Sequence, residues 1–318
     1  MSAQQPAPEL DPVSVADKPN SNGGGNGGSG GSDGSETPPP SETSPETTGP
    51  VVMDVLVAYT PAVAAIYGQQ GAEALLVQAV AETNQAYINS GLDHRLNMVG
   101  AVETIYTESG NMRDDLYILR ATSDNFMDEL HTLRDSLGAD LVSLVEHEPQ
   151  YCGYAFRMTS MSTGFASSAF SVVHHGCATG YYSFAHEIGH NQGAHHNAEN
   201  ASGSMFDYGY GYQDPNNGFR TIMAYNCAGG CTRVDHFSRS DMYFNGASTG
   251  YANYTENALV IHETAATVAA FRMTAEPPQA TEAPAAPADL QVTAAGLDAM
   301  DLNWTDSSDN ESGFVVER

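Results

Sequence analysis

Between Val51 and Thr274 the hydrophobic and polar positions of the chain sort into alternating strand-like and helix-like blocks. Val52-Met53-Asp54-Val55-Leu56-Val57-Ala58-Tyr59, closed by Thr60-Pro61, predicts a strand. Over residues 72–87 the apolar positions Leu75, Leu76, Ala79, Val80 and Ala86 recur at helical spacing, with Gln78, Glu82 and Asn89 on the other face. Residues 94–105 predict a second strand. Residues 112–120 and 125–137 predict two shorter helices, the latter with a buried stripe of Phe126, Leu130, Leu133 and Leu137 and a stop at Gly138. Asp140-Leu141-Val142-Ser143-Leu144-Val145 is a short apolar strand suited to a sheet interior. Strand, helix, strand, helices, strand is the order of an α/β domain with a mainly parallel twisted sheet. Residues 151–160 and 170–174 predict less regular edge structure, with the sheet edge itself placed at residues 168–173. A helix is expected over residues 180–192 with Thr179 as its cap. A Gly-, Asn-, Tyr- and Asp-rich irregular subdomain follows, and then a last helix over residues 257–273 carrying Leu259, Val260, Val268 and Phe271.

Both ends break this pattern. Residues 1–50 hold seven acidic residues and one lysine, with a Gly/Asn/Ser run and then a Pro/Ser/Thr/Glu run, so they have little to bury and are expected to be disordered. Residues 275–288 read as a Pro/Ala-rich linker. Within residues 289–318, Leu290-Gln291-Val292-Thr293 and Met300-Asp301-Leu302-Asn303-Trp304 alternate as strands, and Gly313 to Glu317 begins a third. This stretch resembles the opening of a fibronectin type III domain, including the tryptophan on the second strand. A full β-sandwich of that type needs about 100 residues, so the remnant is expected to be disordered or loosely attached.

Charge and cysteines narrow the setting. The chain has 39 acidic and 11 basic residues, a formal charge of -28. Residues 51–274 alone hold 23 acids and nine arginines, so no basic stripe exists for a nucleic acid to use. No run approaches the roughly 20 apolar residues of a membrane span, and residues 1–12 lack the basic and apolar regions of a secretory signal, as in a processed form or a fragment. Cys152, Cys177, Cys227 and Cys231 allow three pairings. The Cys227-Ala228-Gly229-Gly230-Cys231 loop is flexible enough to close on itself, which would leave Cys152 with Cys177. Two disulfides fit an oxidising, extracellular setting. Nothing in the sequence sets the oligomeric state.

The chemistry is concentrated in His186-Glu187-Ile188-Gly189-His190-Asn191-Gln192-Gly193-Ala194-His195-His196, which has the spacing HExxHxxGxxH. At about 100° per residue, His186 and His190 share one helix face and Phe184 and Ile188 the opposite one. Glu187 lies beside the histidines but out of line with them, placed to accept a proton from water instead of ligating metal. Gly193 permits the sharp turn that brings His196 back to the same ion. Three neutral imidazoles leave a tetrahedral zinc ion, Zn2+, with one open position, the catalytic arrangement.

These residues resemble the metzincin zinc metallopeptidases. The match extends over residues 51–274 and is most similar to bacterial secreted adamalysin-like (reprolysin-like) peptidases, echoed in Ser183-Phe184-Ala185-His186-Glu187, in Arg220-Thr221-Ile222-Met223-Ala224-Tyr225-Asn226-Cys227 and in Asn257-Ala258-Leu259-Val260-Ile261. The resemblance implies a secreted endopeptidase acting on protein or peptide substrates. It further implies an apolar floor from Met223 beneath the histidines and a Tyr225 near the metal that ligates it or hydrogen-bonds the oxyanion. Asn197 departs from the residue that each named subfamily carries after the third histidine, which leaves the subfamily open. A zinc-containing surface adhesin is the competing class, against which the intact Glu187 argues. Residues 1–50 contain no cysteine to occupy the metal, so the cleft is expected to be open to substrate. His195 is one residue short of ligand spacing. His174 and His175 are expected at the surface, and His94, His131, His147, His236 and His262 in ordinary structural places.

Overall fold

In the computed structural model, which describes residues 13–15, 50–272, 286–294 and 300–307, the first strands are β1 (Val13–Val15) and β2 (Val52–Tyr59). Thr60 then caps helix α1 (Pro61–Asn89), its hydroxyl accepting from Val63 N at 3.4 Å. Pro61 opens the helix because a first-turn residue needs no N–H partner. The helix therefore begins a full three turns before the apolar repeat, with a kink where Gly68 takes φ 69°. Strand β3 (Arg95–Glu103), helix α2 (Met112–Arg120), helix α3 (Asp128–Leu137) and strand β4 (Leu141–Glu146) follow. Helix α3 starts later than its apolar stripe suggested, because Asn125 and Met127 take left-handed backbone before it. Phe126 is accordingly exposed and not part of the stripe.

Strands β5 (Gly153–Met158) and β6 (Phe170–His174), the short helix α4 (His175–Ala178) and helix α5 (Ser183–Asn191) complete the part that carries the chemistry. The sheet has the order β1-β5-β6-β4-β2-β3, and every pairing is parallel except β5 with β6. β2, β4 and β6 are buried on both faces, which explains their unbroken apolar runs. This corrects one expectation. Residues 168–173 are not the edge, since β6 lies between β4 and β5. β1 pairs along the second half of β5, in register Val13↔Phe156 to Val15↔Met158. The expected disorder of residues 1–50 otherwise falls outside the described residues.

Past α5 the chain is mostly irregular, stitched by the two-residue strands β7 (Gln213–Asp214), β8 (Phe219–Arg220) and β9 (Thr232–Arg233). Helix α6 (Asn257–Val268) then packs Val260, Ile261, Ala265 and Val268 into the core, where Phe271 follows them. Among the described residues no helix is long and apolar enough to cross a membrane. The chain divides into two compact units, Met1–Thr274 and Ala275–Arg318. In the second unit Ala288–Ala294 and Met300–Thr305 form an antiparallel pair whose Leu290 and Val292 are exposed. The third strand expected at residues 313–317 lies outside the described residues.

Candidate active site

Helix α5 does not begin at Thr179. That residue closes α4, and α5 starts after Tyr182, whose backbone is left-handed at φ 61° and offers no side-chain cap. The helix is held from several sides. Asn191 Nδ2 donates to Phe156 O (2.7 Å) and Phe170 O (3.1 Å), tying α5 to β5 and β6, and Tyr87 OH donates to Gln192 Oε1 at 2.8 Å. At the far end Gly193 has φ 90°, and Ala194 N donates to Gly189 O at 2.9 Å. A side chain at Gly193 would also fall 2.6 Å from Met205 Cε, which could swing aside, so it is the left-handed backbone that favours glycine there.

The turn delivers His196 to the other two histidines. His186 Nε2 lies 3.1 Å and His190 Nε2 3.0 Å from His196 Nε2, and all three side chains are fully buried. His186 Nδ1 lies 2.8 Å from Ile222 O and His190 Nδ1 2.9 Å from Ala194 O. A carbonyl only accepts, so both rings carry their proton on Nδ1 and turn Nε2 lone pairs toward one point. Lone pairs aimed at each other across 3 Å repel unless a cation lies between them, and three imidazoles are a suitable donor set for a divalent ion such as zinc. The residues fit the metal that the sequence implied. Burial, with help from the positive Arg233, holds the His186 pKa well below its ordinary value; burial and the neighbouring histidines do the same at His190.

Glu187 is fully buried next to the start of β5. A Cβ at Gly153 would lie 2.6 Å from Glu187 Cγ and 2.7 Å from its Cδ, so the glycine makes room for the carboxylate. Met223 is buried under α5, where a Cβ at Gly189 would meet its Sδ at 2.7 Å. The Tyr225 ring lies 4.1 Å from the His196 ring, centroid to centroid. His195 points away from the cluster, its Nδ1 accepting from His196 N at 2.9 Å.

Three supports carried no sequence signal of their own. Asn197, the residue that fits no subfamily pattern, accepts from Tyr225 N at 3.0 Å and so ties the third histidine to the methionine turn. Asn257 at the start of α6 holds the His195 backbone at both N (3.2 Å) and O (3.0 Å). Gly211 lets the loop pass 2.7 Å, measured from an added Cβ, from Ala224 N. Only long-range packing defines these roles, although Asn257 did lie in a recognised stretch.

The cysteines pair as Cys152–Cys177 and Cys227–Cys231. His174 and His175 are partly exposed, as expected. His94 and His262 lie 2.9 Å apart, and His147, His174 and His175 form a cluster of their own.

Residues 50–238 match the model of metallo-peptidase family M12, reprolysin type. The chain belongs to that family. Its mixed α/β architecture is accordingly metzincin-like. Similar relatives are the peptidyl-Asp metalloendopeptidase of Stenotrophomonas maltophilia (strain R551-3), 45% identical over 227 residues, or 70% of this chain and 53% of the relative. That of Xanthomonas campestris pv. campestris is 42% identical over 70% of this chain and 52% of the relative. The Pseudomonas fragi enzyme of the same name is 35% identical over 60% of this chain and its whole length. The chain thus spans about half the length of the first two relatives. A solved chain from a chaperone–substrate complex superposes with a TM-score of 0.56 at 21% identity, covering 70% of this chain and 35% of that one, and bears on the fold alone.

Proposed function

We propose that this M12 family member is a zinc-dependent endopeptidase acting outside the cell, with residues 51–274 as its catalytic unit. The observation that carries the reading is the convergence of the His186, His190 and His196 Nε2 atoms beside the buried Glu187. Bound there, zinc would acidify a water molecule and polarise the scissile carbonyl. Glu187 would take the proton from the attacking water at a carboxylate oxygen and release it to the amide nitrogen as the C–N bond breaks. Tyr225, beside the His196 ring, would donate a hydrogen bond to the carbonyl oxygen as negative charge develops on it. Met223 would supply the apolar floor. The two disulfides support an oxidising compartment. Purified protein should hydrolyse a quenched peptide, lose that activity to a chelator and regain it with Zn2+. Hydrolysis that survives full metal removal would refute the reading.

The relatives' name points to aspartate at the cleaved bond, and one part of the site suits an acidic side chain. Arg220 and Arg233 are Cα partners across β8 and β9, and their guanidinium carbons lie 5.5 and 4.6 Å from the centre of the Tyr181 ring. Both bring positive potential to His186. A guanidinium fork matches a carboxylate in shape and charge. Arg220 binds Ala224 O and so holds the methionine turn, while Arg233 Nη1 donates to Tyr181 O (3.1 Å) and Ser183 Oγ (3.4 Å) at the start of α5, so the test compares two substrates on one variant and a general loss of activity cancels in the ratio. With Arg233→Met, the ratio of kcat/KM for a peptide with Asp at the cleaved bond to the same peptide with Asn should fall about 100-fold, or about 2.7 kcal/mol. An unchanged ratio would remove these arginines from substrate recognition.

A further inference from the structure

The ends of two sheet strands gather three more imidazoles. His147 follows β4, His174 ends β6 and His175 opens α4, and a ring nitrogen from each lies within 4.8 Å of the others. The ring centroids are 4.4 to 6.0 Å apart, against 4.7 to 5.1 Å among His186, His190 and His196. His147 Nδ1 approaches His175 Nε2 to 2.8 Å, and the other nitrogen of His175 lies 2.8 Å from Tyr67 OH.

Several independent restraints build this arrangement. Glu146 and His174 are Cα partners across β4 and β6, which places His147 next to the end of β6. His174 N donates to Cys152 O at 3.0 Å, and the Cys152–Cys177 disulfide fastens the segment after His147 to the helix that begins with His175. Glu108 accepts from His147 N at 2.8 Å, so the backbone carrying that ring is held as well. The rings stay partly open to solvent, which leaves an entry path and free coordination positions for water.

We propose that His147, His174 and His175 form a second metal site, distinct from the catalytic one, for a late first-row divalent ion. Imidazole donors favour that class, and affinity within it peaks at Cu2+. Tyr67 is the positioning residue: with the ion on His175 Nε2, His175 Nδ1–H would donate to Tyr67 OH 2.8 Å away, the part that Ile222 O and Ala194 O play for His186 and His190. The three donors are not equal. His174 Nδ1 accepts from Gly176 N at 3.1 Å, and the ring must give up that bond or turn to bind, so His174 contributes least.

The test adds Cu2+ to zinc-loaded full-length protein, followed by dialysis, metal content by mass spectrometry and a Cu2+ binding isotherm. The proposal expects one bound Cu2+ per chain with the zinc retained. His147→Ala and His175→Ala should weaken Cu2+ binding more than about 100-fold and Tyr67→Phe about 10-fold, with His174→Ala in between, while zinc content and peptide hydrolysis stay at the parent level. Copper that binds only by displacing zinc, copper that binds the His147→Ala and His175→Ala variants as tightly as the parent, or no copper retained would each overturn it. The unchanged zinc content and hydrolysis also show that the variants are folded. The proposal does not rest on the peptidase reading.

Discussion

Glu187→Ala should leave the metal content of the protein unchanged and lower kcat for peptide hydrolysis by about 10²- to 10⁴-fold. The three nitrogens that converge belong to histidines, and the Nδ1 atoms of His186 and His190 face the Ile222 and Ala194 carbonyls, so removing the carboxylate leaves the donor set intact. Only the proton's path from water to leaving amine is lost. Metal analysis together with hydrolysis of a quenched peptide reads both quantities. Near-parental turnover would eliminate Glu187 as the base, and loss of metal would mean that the side chain also holds the ligands in place.

The second large effect concerns a residue that carries no chemistry. In Gly153→Ala the new methyl would sit 2.6 Å from Glu187 Cγ and 2.7 Å from Cδ, well inside contact distance. The glutamate side chain is more easily displaced than β5, which is paired with β6 from Gly153 onward. A shift of about 1 Å in a catalytic group can cost about 100-fold, and that is the loss expected in kcat. The decisive comparison is a double-mutant cycle. In the Glu187→Ala background the Gly153→Ala change should cost nothing further, because the side chain it displaces is gone. A loss of similar size in that background would show that the methyl acts through the strand and not through the carboxylate.

How far the chain could be read depends on the range over which each feature is defined. The metal-binding helix was legible because its ligands lie within one helix and the turn after it, where spacing alone sets geometry. β2 and β4 were legible because burial on both faces leaves an unbroken apolar run. The identity of the edge was not. β6 is buried like an interior strand because it lies between β4 and β5, while β5 carries Arg157 and resembles irregular structure. Strand order is a property of the whole sheet, and no window of sequence contains it. The start of α5 was misplaced for a steric reason: Thr179 has capping chemistry, yet the left-handed turn at Tyr182 lies between it and the helix. The second histidine cluster was hidden for the same reason as the edge. His147 and His174 become neighbours only once β4 and β6 are side by side.

The pairing of Val13–Val15 with Phe156–Met158 gives the protein a competitor that it carries with it. Because it belongs to the same chain, this strand meets the β5 edge at an effective concentration that does not fall as the protein is diluted. A long extended polypeptide that needs the same backbone groups must displace it, and its apparent affinity falls in proportion. A short peptide that never reaches Phe156 pays no such penalty. Any chain that would add a strand at Phe156–Met158 thus competes with a rival that cannot be diluted away.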